Sequence, residues 1–105
     1  MTTLPNLAQI EGFDWDKSNA EKNWERHRVA FYECEEAFLR GPILLPDIQH
    51  SEEEPRFFAL GKTVRDRRLT IVFTIRRSKI RVISARDMSR KERKAYEQAQ
   101  KDTEV

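Results

Sequence analysis

Apolar residues recur along this chain with two different periods. Over 69–75 every second position is large and apolar, Leu69, Ile71, Phe73 and Ile75, with Thr70, Val72 and Thr74 between them. That is the alternation of a strand whose two faces meet different surroundings. Residues 79–86 repeat it, Ile80 and Val82 alternating with Lys79, Arg81 and Ile83. Only Arg76, Arg77 and Ser78 separate the two stretches, so they are expected to pair as an antiparallel hairpin that holds arginine on a rigid element.

Upstream the period lengthens. Ala20, Trp24 and His27 fall four and three residues apart, one face of a helix that begins at Asp16 or at Ser18, the latter in a capping-box pattern with Glu21. Trp24 is expected to anchor that face inward. A second helix is predicted over 31–39 with Phe31, Cys34, Ala37 and Phe38 buried, ended by Gly41 in the left-handed conformation and by Pro42. Phe13 and Trp15 suggest a short first strand, 43–45 a strand that Pro46 keeps at an edge, 47–55 a polar loop and 56–61 a further strand. Ser89 and Glu92 form a second capping-box pattern, opening a helix to about residue 100.

The resulting order is β, α, α, four strands, α. It predicts an α+β fold: a small, mainly antiparallel sheet with two N-terminal helices packed on one face, a short C-terminal helix, and the other face open to a ligand. Residues 1–12 read as an extension, 13–100 as a single domain and 101–105 as a flexible tail.

Charge changes the picture from fold to function. Residues 1–61 hold twelve acidic against six basic side chains, whereas 62–94 hold thirteen basic against three acidic ones, a division the net charge of +2 conceals. Thirteen cations exceed what protecting a strand edge requires, and they point to an anion surface, phosphate being the common choice. Cys34 is the only cysteine, so no internal disulfide or cysteine-cluster metal site is expected. His27 and His50 lie in unrelated segments, which gives no metal-binding pattern. With no apolar run of membrane-spanning length and no secretory pattern at its start, the protein is expected to stay in the cytoplasm and off membranes.

An ordered set of residues resembles a known family. Phe13-Asp14-Trp15-Asp16, Asn23, Arg26-His27, Phe31, Glu36-Ala37-Phe38, Asp47, His50-Ser51, Glu54-Pro55-Arg56, Gly61, then Arg81-Val82-Ile83-Ser84-Ala85-Arg86 with Glu92-Arg93 and Tyr96, is similar to the BrnT toxins of type II toxin–antitoxin systems. The resemblance runs over about 13–96. It implies a RelE-like fold, an RNA-cleaving activity that stops translation, and a neutralising BrnA-like antitoxin. The antitoxin would bring operator DNA binding to the complex, which the resemblance implies could be a heterotetramer. In one place the sequence departs from the pattern: the usual Lys-His-Gly turn is Arg26-His27-Arg28, so either the turn avoids positive φ or Arg28 is strained.

Metal-free RNA cleavage uses the neighbouring 2′-hydroxyl as nucleophile, and donors aimed at the charge growing on phosphorus supply much of its acceleration. Arginine suits this, since its planar fork binds two phosphate oxygens. Arg81 and Arg86 are the first candidates for phosphate clamping in catalysis, and no cofactor is expected. His27 and Tyr96 are candidates for proton transfer, ahead of His50 in its loop, although a structural imidazole and a packing tyrosine fit those positions as well. Arg56, Arg76, Arg77, Lys79 and Arg93 are candidates for holding RNA phosphates. Glu92 could orient the strand arginines or simply cap its helix. The same basic face would also serve a non-catalytic nucleic-acid-binding module, or a protein-interaction domain that docks an acidic antitoxin segment.

Overall fold

The computed structural model describes residues 3–50 and 53–103, the last by its backbone alone. In chain order the elements are β1 (Gly12–Phe13), α1 (Lys17–His27), α2 (Phe31–Leu39), β2 (Ile43–Pro46), β3 (Phe57–Lys62), β4 (Arg68–Arg76), β5 (Lys79–Asp87) and α3 (Arg90–Thr103). The strands form one sheet ordered β1-β5-β4-β3-β2, antiparallel except for β1, which runs parallel to β5. The expected α+β order holds, and β2 with its Pro46 is an edge strand. Several expected ranges move: Trp15 lies outside the first strand, β2 reaches Pro46, Arg56 lies just before β3, which runs to Lys62, and the last helix reaches Thr103. Ser51, part of the family pattern, falls outside the described residues, as do 104–105 of the expected tail.

The period-two stripe of β4 builds the core. Leu69, Ile71 and Phe73 are wholly buried with Val29, Cys34, Ala37, Phe38, Phe57 and Ala59, and the ring of Phe73 meets Phe38 edge-on at 4.9 Å. Gly61 lets α2 approach β3 closely: a Cβ there would sit 3.1 Å from the Ala37 carbonyl oxygen. Gly41, at φ 76°, ends α2 as expected. The N-terminal extension is not free of the domain, because Leu7 and Ile10 pack on this core and the Glu11 N–H donates to the Ser78 carbonyl at 2.8 Å.

Three expectations about the helices are corrected. α1 does not turn Trp24 inward: Trp24 is 48 % exposed, His27 is exposed, and the buried residue of α1 is Asn23 at 2 %. β1 pairs only with Lys79 and Ile80 of β5, so the outer edge of β5 beyond them needs other partners. Asn19 Nδ2 donates to the Val82 carbonyl, and Asn23 Oδ1 accepts the Ala85 N–H. α1 therefore seals a strand edge with amides where an apolar stripe on a sheet face was expected. Phe31 is likewise 50 % exposed, while Cys34, Ala37 and Phe38 are buried as expected. The second sheet face is not wholly open either, since α3 covers one end of it through Tyr96 and Met88 on Leu60 and Ile43.

Arg28 takes the strained alternative, with φ 54° and ψ 36°. A non-glycine residue there costs about 1–2 kcal/mol, offset in part by its guanidinium lying 5.5 Å from the Trp24 ring centroid.

Candidate nucleic-acid interface

A bulge decides which way the strand arginines point. Val72 pairs with Ser84 but Phe73 pairs with Val82, leaving Ile83 as an extra residue on β5. Without it Arg81 and Arg86, five positions apart, would face opposite sides of the sheet. With it they lie opposite Thr74 and Thr70 of β4, on one face. Four residues of strand set them roughly 13 Å apart. Between them runs a cross-strand row of Leu45, Phe58, Val72 and Ser84, a shallow apolar floor on the face away from α2.

At the Arg81 end, cations and carboxylates converge. Arg81 Nη2 donates to Asp16 at 2.6 Å and Nη1 lies 3.6 Å from Asp14. The second Asp16 oxygen accepts the Asn19 N–H at 2.7 Å and caps α1. The hydrogen bond from Arg81 holds the Asp16 carboxyl below its ordinary range. Arg76 grips Glu54 with two parallel bonds, 2.8 and 3.2 Å. Glu54 is held low by that contact first, with smaller contributions from the charges of Arg76, Arg56 and Arg81.

His50 stands next to this cluster. Its Nδ1 lies 3.1 Å from both oxygens of the buried Asp47, and with Gln49, Glu53, Glu54 and Arg56 it lines a cleft of about 340 Å³. A second cleft of about 400 Å³, lined by Asp14, Arg76, Arg77 and Lys79, lies at the β4–β5 turn. There Arg77 and Ser78 both have positive φ, 52° and 65°, the geometry of a two-residue hairpin turn ordinarily filled by Asn-Gly.

The other candidates fall elsewhere. Arg86 makes a two-pronged pair with Glu92, 2.7 and 2.9 Å, and Glu92 also accepts the Ser89 N–H at 2.8 Å while Ser89 Oγ accepts the Glu92 N–H, so capping and orienting coexist. Tyr96 is buried, its phenol pushed up by desolvation, which is the packing alternative. His27 ends α1, about 16 Å from the helix start where Arg81 binds. Arg93 is exposed on α3. The pairing of His50 with Asp47 was missed from sequence, although an Asp three residues before a His in a turn is a local signal for it.

The Glu92 pair predicts an acid-sensitive step. Arg86 holds the Glu92 carboxyl down to about 2 from its ordinary 4.5, so the stabilisation is complete above the unfolded value and lost as pH falls from about 4.5 towards 2. Discounted for the solvent around Arg86, it is expected to be about 2 kcal/mol. Urea unfolding at pH 5 and pH 2.5 checks this: Glu92→Gln, which retains a capping acceptor, is expected to lose correspondingly less stability than the wild type over that interval.

Comparison with known proteins adds two findings. A family model described as "Ribonuclease toxin, BrnT, of type II toxin-antitoxin system" matches residues 15–92. The crystal structure of the Brucella abortus ribonuclease toxin BrnT matches with a TM-score of 0.57 at 21% sequence identity, covering 75% of this chain and 97% of that one. No curated protein matches.

Proposed function

The chain belongs to the BrnT family of ribonuclease toxins of type II toxin–antitoxin systems, and from that premise we propose that it cleaves RNA without a metal ion at the Glu54 end of the open sheet face. The observation that carries this reading is a cleft lined by Arg56 and by the Arg76-paired Glu54, next to a histidine oriented by a buried aspartate. In the proposed reaction the 2′-hydroxyl loses its proton as its oxygen bonds to phosphorus, the bond from phosphorus to the 5′-oxygen breaks, and the 5′-oxygen leaves with a proton. Arg81 and Arg56 hold the non-bridging oxygens as charge grows on them. His50, its Nδ1 fixed by Asp47, moves the proton through its other ring nitrogen, since imidazole is the side chain suited to transfer near neutrality.

His50 takes the role for which His27 and Tyr96 were candidates, because the first sits at the far end of α1 and the second lies in the core. Arg76, Arg77 and Lys79 offer phosphate contacts along the second cleft, Phe58 and Val72 offer a floor for bases, and Arg86 offers a contact further along the strand. Arg93, at the α3 surface, would touch only RNA that runs past this face. The same cations would bind RNA without cutting it, but the His50–Asp47 pair gives the cleft a proton-transfer group that binding alone does not need.

On this reading the toxin acts in the cytoplasm as a single domain over 13–100, inhibits translation, and is neutralised by a BrnA-like antitoxin through which a heterotetramer would reach operator DNA. Incubating the purified chain with a defined RNA in excess chelator is expected to yield fragments ending in 2′,3′-cyclic phosphate and 5′-hydroxyl. Cleavage that stops in chelator and returns with a divalent ion would overturn metal independence. Intact RNA at low salt, where phosphate binding is strongest, would overturn the enzyme reading.

A further inference from the structure

The molecule exposes a second, chemically different surface at the opposite end of the sheet. Trp24 on α1, Phe31 and Tyr32 at the start of α2, and Val64 in the turn after β3 are 48, 50, 56 and 65 % exposed. Phe31 meets Tyr32 edge-on at 6.0 Å and Trp15 at 6.1 Å. Trp24, Tyr32 and Val64 line a cleft of about 450 Å³ together with Arg28 and Arg65. Isolated apolar side chains are ordinary on a surface, but Trp24, Tyr32 and Val64 exposed around one cleft mark a contact site.

The charges at this cleft have a direction. Its carboxylates are already engaged: Glu33 accepts from Arg67 at 3.1 and 3.2 Å and from the Ala30 N–H at 3.0 Å, and Glu36 accepts the Val64 N–H at 3.0 Å. Arg67 is neutralised by Glu33 and Asp87. Arg28 and Arg65 have no carboxylate partner among the described residues. Three arginines thus face two glutamates and leave the cleft net cationic, and aromatic side chains with arginine are what dominates binding energy at protein interfaces. Arg28 contributes here in its strained conformation, spread over Trp24 where a glycine would leave the ring bare.

We propose that this cleft is the anchor for an amphipathic, acidic segment of the antitoxin, with apolar side chains entering between Trp24, Tyr32 and Val64 and carboxylates meeting Arg28 and Arg65. The identity of the partner rests on the family reading above; the surface does not. The site is distinct from the RNA cleft: Arg68 and Arg76 end β4 roughly 27 Å apart, the aromatic cleft lies at the Arg68 end and the Glu54 cluster at the other. Anchoring and neutralisation are then separable, since an antitoxin held here must extend along the sheet to reach the RNA cleft.

Calorimetric titration of the full-length toxin with its purified antitoxin tests this. Tyr32→Glu suits the purpose, because a carboxylate in the first turn of α2 suits the helix dipole while it adds a negative charge where the partner's carboxylates would dock. Arg65→Glu is the second variant. Each is expected to weaken antitoxin binding roughly thirtyfold or more, with RNA cleavage by free toxin within twofold of wild type. Wild-type affinity in both variants would overturn the site while leaving the family reading intact, whereas a wild-type toxin that fails to bind any antitoxin would overturn that reading as well. The site also falls if Tyr32→Glu lowers RNA cleavage, which would place RNA in the cleft, or if free toxin is a dimer that Tyr32→Glu splits, which would place a second copy there.

Discussion

Replacing Arg81 with alanine is expected to slow RNA cleavage by about a hundred- to a thousandfold, the cost typical of removing one positioned donor from a developing oxyanion. The fold is expected to survive. Asp16 keeps its cap on α1 through the Asn19 N–H at 2.7 Å, and the two carboxylates Arg81 leaves behind, Asp14 and Asp16, reach solvent and can be hydrated. The effect should fall on the chemical step because Arg81 is already oriented before RNA arrives: a strand fixes its backbone and Asp16 fixes its fork, so little reorganisation is needed when charge develops. Arg81→Lys is expected to recover only part of the rate, since an ammonium supplies charge without two parallel donors. Single-turnover cleavage rates, with thermal unfolding of each variant alongside, measure this. In cells, induced Arg81→Ala should no longer arrest growth. A folded Arg81→Ala that cleaves within tenfold of wild type would remove Arg81 from the site.

The uneven legibility of this sequence follows from the kind of force involved. The β4–β5 hairpin, α2, the Gly41 stop and the Ser89–Glu92 capping box all rest on local patterns, a period or a pair three residues apart, and each is where the sequence indicates. What eluded sequence reading depends on partners distant in the chain. Asn19 and Asn23 look like ordinary solvated helix positions until a strand edge lies beside them, and the apolar stripe with Trp24 then has no core to enter. The bulge at Ile83 leaves no mark in the alternation of 79–83 and becomes visible only through the pairing of β5 with β4. Yet it is what sets Arg81 and Arg86 on one face. A loop position suggests mobility for His50 and so favours His27, whereas the buried Asp47 holds the His50 ring. Family resemblance named many of these residues without saying which of them meet.

Arg67 went unremarked in the sequence, one cation among thirteen in its segment, and Arg67→Ala is expected to cause the largest loss of stability of any surface substitution, about 3–4 kcal/mol. Its guanidinium is shared among four acceptors from different parts of the chain. Nε and Nη2 bind Asp87 at the end of β5, 2.8 and 3.2 Å. Nη1 binds Glu33 in the first turn of α2 and the Arg28 carbonyl at 2.7 Å, while Nη2 also takes the His27 carbonyl at 3.1 Å. Two of these are carbonyls that the end of α1 cannot satisfy internally. Asp87 is largely solvated, but with the Arg67 side chain 27 % exposed and that of Glu33 less so, the Glu33 pair and the two carbonyl contacts are shielded enough for the loss to exceed that of an exposed ion pair. The residue that replaces it matters: lysine keeps the charge but cannot reach three directions from one plane, so Arg67→Lys is expected to restore less than half. Urea unfolding at neutral pH distinguishes the outcomes. A loss below 1 kcal/mol for Arg67→Ala would mean that solvent already carries these contacts, and that the α1–α2 turn is held by Val29 in the core and not by the network outside it.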